Sequence, residues 1–128
     1  MKITVLGLGY IGLPTSLLFG RSGHEVVGID VNQTVIDSLN AGVLHFEEEG
    51  LQQLFDETKG NFTAQNTVPE ADVFVIAMPT PLNKSLRVAD LSYVRAAAAM
   101  IAPVLKEYNL VVLESTVPPG ASERIVPF

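Results

Sequence analysis

Lys2-Ile3-Thr4-Val5-Leu6-Gly7-Leu8-Gly9-Tyr10-Ile11-Gly12-Leu13-Pro14-Thr15 joins a short apolar run to a glycine-rich turn and then to a helical pattern. An unbroken apolar run such as Lys2–Leu6 suits a strand buried on both faces of a parallel sheet. Gly7–Gly12 spells G-x-G-x-x-G. Tyr10–Ser22 reads as a helix, with Ile11, Leu17, Leu18 and Phe19 available for packing. Pro14 fits the first helical turn, where no amide donor is needed, and Gly23 closes the helix. The glycine pattern is weak by itself. Between a strand and a helix it has the setting that a dinucleotide's pyrophosphate requires. Gly7 permits the tight turn, Gly9 omits a Cβ so that phosphate can approach the backbone, and Gly12 lets the helix pack on the strand. The first helical amides and the helix dipole then face negative charge. The plainer alternative is a strand–helix turn that holds no ligand.

Downstream, strands and helices alternate. Glu25–Ile29 is a second strand ending at Asp30. Asn32 is placed to cap a helix over Gln33–Asn40, stopped by Gly42. Glu49–Lys59 reads as a short helix with Leu51, Leu54 and Phe55 on one side, and Asn61–Ala64 as a brief strand at one sheet edge. Asp72–Ala77 is a buried strand, Met78–Lys84 a proline-rich loop, and Leu91–Lys106 an alanine-rich helix capped by Asp90. Asn109–Leu113 is a further strand. Pro118-Pro119-Gly120 is a turn, and Ala121–Val126 begins another helix. This order predicts an α/β domain over residues 1–128. Its fold is a Rossmann-type doubly wound parallel sheet, with Lys2–Leu6 central and the chain ending before a sixth strand.

Composition narrows the function. With 128 residues, 48% of them apolar, there is enough chain for one packed core. The formal charge of −6 and the scattered basic residues argue against a nucleic-acid partner. No apolar run reaches membrane-spanning length, since Arg21, His24 and Glu25 interrupt the first one. The N-terminus enters a strand and a glycine turn directly, unlike a signal peptide, which predicts a cytoplasmic protein. There is no cysteine, so disulfides, thiolate metal sites and cysteine nucleophiles are absent from these residues. No metal site is expected. His45 precedes Glu47-Glu48-Glu49 with no second histidine at ligand spacing, and the glutamates read as a solvated run. His24, in a helix-to-strand turn, reads as solvated or capping. Tyr10 has two readings, a phosphate neighbour or a packing ring.

Ligands of open α/β sheets lie beyond the carboxyl ends of the strands. Asp30 stands there at the spacing where an acid accepts both hydroxyls of an adenosine ribose. Its charge would repel a 2′-phosphate, and no Arg lies in Asp30–Val35, so NAD is favoured over NADP. Asp30 also has a plainer reading as a cap or loop acid. Pro79-Thr80-Pro81 and Glu114–Gly120 fall at the ends of two other strands. Pro79 and Pro81 fix the backbone, Thr80 offers a hydroxyl beside the cofactor, and Thr116 can donate to a water, a ribose or a reacting oxygen. Ordinary turn chemistry explains both segments equally well.

Gly7–Thr15 (GLGYIGLPT), Met78–Pro81 (MPTP) and Glu114–Gly120 (ESTVPPG), in this order, resemble the UDP-glucose/GDP-mannose dehydrogenase family across essentially the whole chain. Leu13-Pro14-Thr15 and Gly42–Leu51 (GVLHFEEEGL) resemble its mannosamine-type branch more than its UDP-glucose enzymes. One departure is Glu48-Glu49, where the family commonly has Glu-Pro. The resemblance implies oxidation of a nucleotide-sugar C6 alcohol to a carboxylate with two NAD, in the service of polysaccharide synthesis. It also implies roles: Tyr10 and Ile11 at the pyrophosphate, Asp30 at the ribose, Thr80 and Thr116 on the nicotinamide side. Thr116 is further implied to be catalytic, beside a reacting water. Enzymes of this family are several-fold longer. They carry a later glutamate, lysine and catalytic cysteine, and a second domain for the UDP-sugar. These 128 residues are therefore expected to bind NAD without turnover. Two alternatives are a hydroxyacid or 6-phosphogluconate-type dehydrogenase domain, against which ESTVPPG speaks, and a non-catalytic nucleotide-binding module. The oligomeric state stays open, a homo-oligomer among the options.

Overall fold

The computed structural model describes residues 1–58, 60–79, 82–83 and 88–114; at 82–83 and 88–89 it describes the backbone alone. In chain order the elements are β1 (Lys2–Leu6), α1 (Gly12–Arg21), β2 (Glu25–Ile29), α2 (Gln33–Asn40), α3 (Leu51–Glu57), β3 (Phe62–Gln65), β4 (Val73–Ile76), β5 (Leu82–Asn83), β6 (Val88–Ala89), α4 (Ser92–Ile101) and β7 (Leu110–Leu113). Five strands form one parallel sheet in the order β3-β2-β1-β4-β7. The central β1 and the edge position of β3 agree with the expectation from sequence.

Alternation along each strand feeds two cores. Ile3, Val5, Val26 and Val75 pack on one face with Leu13 and Leu17 of α1, Ile36 and Leu39 of α2, and Leu51 of α3. Leu6, Ile29, Phe74 and Ile76 pack on the other with Val94, Ala97, Ala98 and Ile101 of α4. The chain runs outward from β1 to β2 and β3 with its helices on the first face. It then returns to β4 on the far side of β1 and continues to β7 with α4 on the second. Right-handed crossovers in opposite directions require opposite faces. Strand order therefore reverses beside β1, and a crevice opens there at the carboxyl ends. Each fully buried side chain, such as Leu13, Leu17, Phe74 or Ile101, contributes about 1.5–3 kcal/mol of transfer free energy.

Local differences from the expected elements have physical causes. The alanine-rich helix is shorter than expected. Asp90 Oδ1 accepts the Ser92 N–H at 2.9 Å, but the α-helix ends at Ile101 and a single 3₁₀ turn, Ala102–Val104, follows. Pro103 has no N–H to continue the ladder. Asn32 caps α2 as expected, its side chain accepting the Thr34 N–H at 3.0 Å. The loop after β4 contains β5, paired antiparallel with β6, which the proline-rich reading did not foresee. Gly28, inside β2, sits under Leu8: a Cβ there would lie 2.7 Å from Leu8 Cδ2 and 2.9 Å from Phe62 Cε2. The expected helix over Ala121–Val126 lies outside the described residues. No described helix is long and apolar enough to cross a membrane.

The outer edge of β3 is closed by a side chain. Asn40, the last residue of α2, donates from Nδ2 to the Ala64 carbonyl at 2.8 Å and accepts the Ala64 N–H on Oδ1 at 2.9 Å. One amide thus reproduces the pairing of a missing neighbour strand and blunts an exposed edge. Asn40→Asp keeps the shape and the acceptor but removes the donor and places a charge against a carbonyl. It is expected to cost about 1–3 kcal/mol, read by chemical denaturation; unchanged stability would count against the edge-closing role.

Candidate functional site

The register sets the carboxyl ends of the sheet level. Gln65, Ile29, Leu6, Ile76 and Leu113 form one row across β3, β2, β1, β4 and β7. Each ladder gains one more bond beyond that row: Gly7 N–H to Ile29 O and Ala77 N–H to Leu6 O, both at 2.8 Å, Asp30 N–H to Gln65 O at 3.3 Å, and Glu114 N–H to Ile76 O at 2.8 Å. Asp30, Gly7, Ala77 and Glu114 therefore leave the sheet side by side. They line one crevice of about 530 Å³ together with Leu8, Gly9, Tyr10, Ile11, Val31, Met78, Pro79 and Tyr93. That volume is in the range of small-molecule and cofactor sites.

The glycine loop forms the floor. Gly7 has φ +98°, and a Cβ on it would lie 2.6 Å from the Ala77 carbonyl oxygen. Gly12 opens α1, where a Cβ would come within 1.7 Å of the Gly7 carbonyl oxygen. Gly9 differs: a Cβ on it would meet nothing within 4 Å, so the missing side chain leaves open space at the crevice wall. The N-terminus of α1 has no acid in its first turn and, unlike α2, no side-chain cap. Leu13 N–H is bonded to Gly9 O at 3.1 Å and Pro14 has no N–H, so what the start of α1 offers an anion is chiefly its positive dipole end. Open space at Gly9 and an uncapped helix start are the features a pyrophosphate needs.

Asp30 belongs to the same constellation. Its Oδ2 accepts the Leu8 N–H at 3.3 Å and its Oδ1 the Asn32 N–H at 2.9 Å. One carboxylate thus ties the end of β2 to the glycine loop while lining the crevice. Each carboxylate oxygen retains a further acceptor direction. Tyr10 is largely exposed, with its ring 4.5 Å from that of Phe46, which in turn meets His45 edge-on at 4.8 Å. The 41–50 segment therefore buttresses the loop through aromatic contact, and Tyr10 both packs and lines the crevice. Ile11 and Pro79 also line it. His24 meets the ring of Phe19 edge-on at 6.4 Å. Thr80 and Thr116 lie outside the described residues. Among the described residues no cluster of His, Asp or Glu is arranged to hold a metal ion.

The structure brings in residues the sequence reading did not single out for the site. Val31, Met78 and Tyr93 add apolar walls. Glu114, the first residue of ESTVPPG, lines the crevice and accepts the Thr15 hydroxyl on Oε1 at 2.8 Å. The signal for Glu114 was available: like Asp30, it is a carboxylate immediately after a strand.

A doubly wound parallel sheet, with its glycine loop at the strand-order reversal and an acid ending the second strand, defines a dinucleotide-binding domain of the dehydrogenase class. Comparison with known proteins narrows this: the chain belongs to the UDP-glucose/GDP-mannose dehydrogenase family, matching its NAD binding domain over residues 1–127. NAD is accordingly the cofactor. The chain is 46% identical over 125 residues to the UDP-N-acetyl-D-mannosamine dehydrogenase of Salmonella typhi, covering 96% of this chain and 30% of that protein. It is equally 46% identical to the NDP-N-acetyl-D-galactosaminuronic acid dehydrogenase of Ralstonia nicotianae, covering 96% and 29%. A solved structure of the UDP-N-acetyl-mannosamine dehydrogenase from S. aureus superposes with a TM-score of 0.93 at 43% identity, covering 98% of this chain and 31% of that one. The chain thus spans about 30% of the length of the relatives it matches.

Proposed function

We propose that this domain holds NAD for a nucleotide-sugar 6-dehydrogenase that oxidises UDP-N-acetylmannosamine, or a related UDP-sugar, to the uronate. The observation that carries this reading is the crevice joining the glycine loop, the uncapped start of α1 and Asp30, in a chain 46% identical to enzymes of N-acetylated nucleotide sugars. In this reading Gly7, Gly9 and Gly12 shape the phosphate loop, and Tyr10 and Ile11 flank the pyrophosphate. Asp30 accepts the adenosine ribose hydroxyls and disfavours a 2′-phosphate, with Val31 beside it as an apolar wall. Pro79, Thr80 and Thr116 serve the nicotinamide side, Thr116 as the catalytic contact beside a reacting water. Bound NAD supplies the oxidising equivalent. The groups that hold the sugar, and the sulfur nucleophile of the second oxidation, come from outside these cysteine-free residues. The product is a building block for polysaccharide in the cytoplasm.

The test is NADH formation by the full-length protein with UDP-N-acetylmannosamine, UDP-N-acetylgalactosamine and UDP-glucose. Two NADH per sugar are expected with an N-acetylated substrate. Residues 1–128 alone should bind NAD and turn over none of the three, because positioning the sugar against the cofactor supplies much of the rate. Clear turnover by residues 1–128 would defeat this division of labour, and no turnover of any UDP-sugar by the full-length protein would defeat the substrate class.

A further inference from the structure

We infer that the Glu114 carboxylate contributes a negative charge to the nicotinamide end of the crevice, which shifts the site's relative affinity toward oxidised and away from reduced cofactor. This rests on the reading that Asp30 receives the adenosine ribose. Asp30 and Glu114 follow residues of the same sheet row, and β2 and β7 are separated by β1 and β4. Three strand spacings place the two exits roughly 14 Å apart, on opposite sides of the glycine loop. A dinucleotide that starts at Asp30 and passes its pyrophosphate over Gly9 therefore directs its second half toward β4 and β7. Both carboxylates line the same crevice, and no Lys or Arg is among the described residues that line it.

Glu114 is held where it can act. The Thr15 hydroxyl, from the first turns of α1, donates to Oε1 at 2.8 Å, and the Glu114 backbone N–H is bonded to Ile76 O. The side chain is tied at one oxygen, and Glu114 lines the crevice. The oxidised nicotinamide ring carries a positive charge that the reduced ring lacks. A fixed carboxylate attracts the first and is indifferent to the second. The two-NAD reaction proposed above must exchange reduced for oxidised cofactor midway, and this shift favours that exchange.

The experiment measures dissociation constants for NAD⁺, by calorimetry, and NADH, by fluorescence, on the full-length protein and on Glu114→Gln. Glutamine keeps an acceptor for Thr15 and loses the charge. At about 7 Å, a unit charge pair is worth about 3-fold in water-like and about 50-fold in protein-like surroundings. The ratio of the NADH to the NAD⁺ constant is expected to fall at least about 3-fold. Glu114→Ala, which loses both the charge and the Thr15 bond, should lower the ratio similarly and serves if the glutamine variant does not fold. A purely structural tie would weaken both cofactors together, so a smaller change in the ratio overturns the inference even if both affinities drop. Wild-type protein that binds NAD⁺ while Asp30→Ala leaves that affinity unchanged would instead overturn the underlying reading of the adenosine side, and the inference with it.

Discussion

Gly12→Ala is expected to unfold the glycine loop, while Gly9→Ala leaves the fold intact and abolishes tight NAD binding. At Gly12 the new methyl would lie 1.7 Å from the Gly7 carbonyl oxygen, 2.9 Å from the Gly7 carbonyl carbon and 3.2 Å from Ala77 Cβ. The first two are backbone atoms of the turn itself, so no rotamer change relieves the clash. Either α1 lifts from β1 or the turn opens, and both uncover the core around Leu13 and Leu17. Overpacking in a well-packed interior commonly costs 1–3 kcal/mol, and a backbone clash this short should cost about 3 kcal/mol or more, a fall of roughly 10 °C in the melting temperature. At Gly9 the same methyl meets nothing within 4 Å. Its effect should appear only when pyrophosphate approaches, as a large loss of NAD affinity at unchanged melting temperature. Thermal denaturation and NAD titration of the two variants separate the roles. Normal melting of Gly12→Ala, or normal NAD binding by Gly9→Ala, would show that the loop works differently.

The second large effect is at Asp30. Asp30→Ala removes the proposed acceptor for the ribose hydroxyls and the bonds to Leu8 N–H and Asn32 N–H. Loss of a charged hydrogen-bond acceptor costs about 1.5–3 kcal/mol, which is about 10-fold to 150-fold in affinity. NADP should respond in the opposite sense, because the repulsion toward its 2′-phosphate is gone. The two cofactors should therefore approach equal affinity. Asp30→Asn sharpens the result, since its amide oxygen can still accept one bond while the charge is lost. Calorimetric titration of both cofactors reads the outcome, and unchanged NAD affinity in Asp30→Ala would remove the ribose role.

The local patterns of this chain determined much of the architecture. The apolar run Lys2–Leu6, the glycines at 7, 9 and 12, the cap at Asn32 and the acid at position 30 express preferences of a few neighbouring residues. Such preferences hold in any context that permits a strand, a turn or a helix start. Alternation of strands and helices, with right-handed crossovers, then orders the sheet. Pro103 was equally visible, yet the helical spacing of Leu91–Lys106 ran through it; the missing N–H decided the matter. Other features only the tertiary structure decided. Asn40 closes the β3 edge through Ala64, and Gly28 yields its Cβ space to Leu8. Phe46 meets the ring of Tyr10, and Thr15 bonds Glu114 across 99 positions of sequence. None of these pairs is close in the chain, so no periodicity or turn preference couples them. They exist because the sheet register brings strand ends level and α1 lies across them, and that register is set by packing of two whole cores.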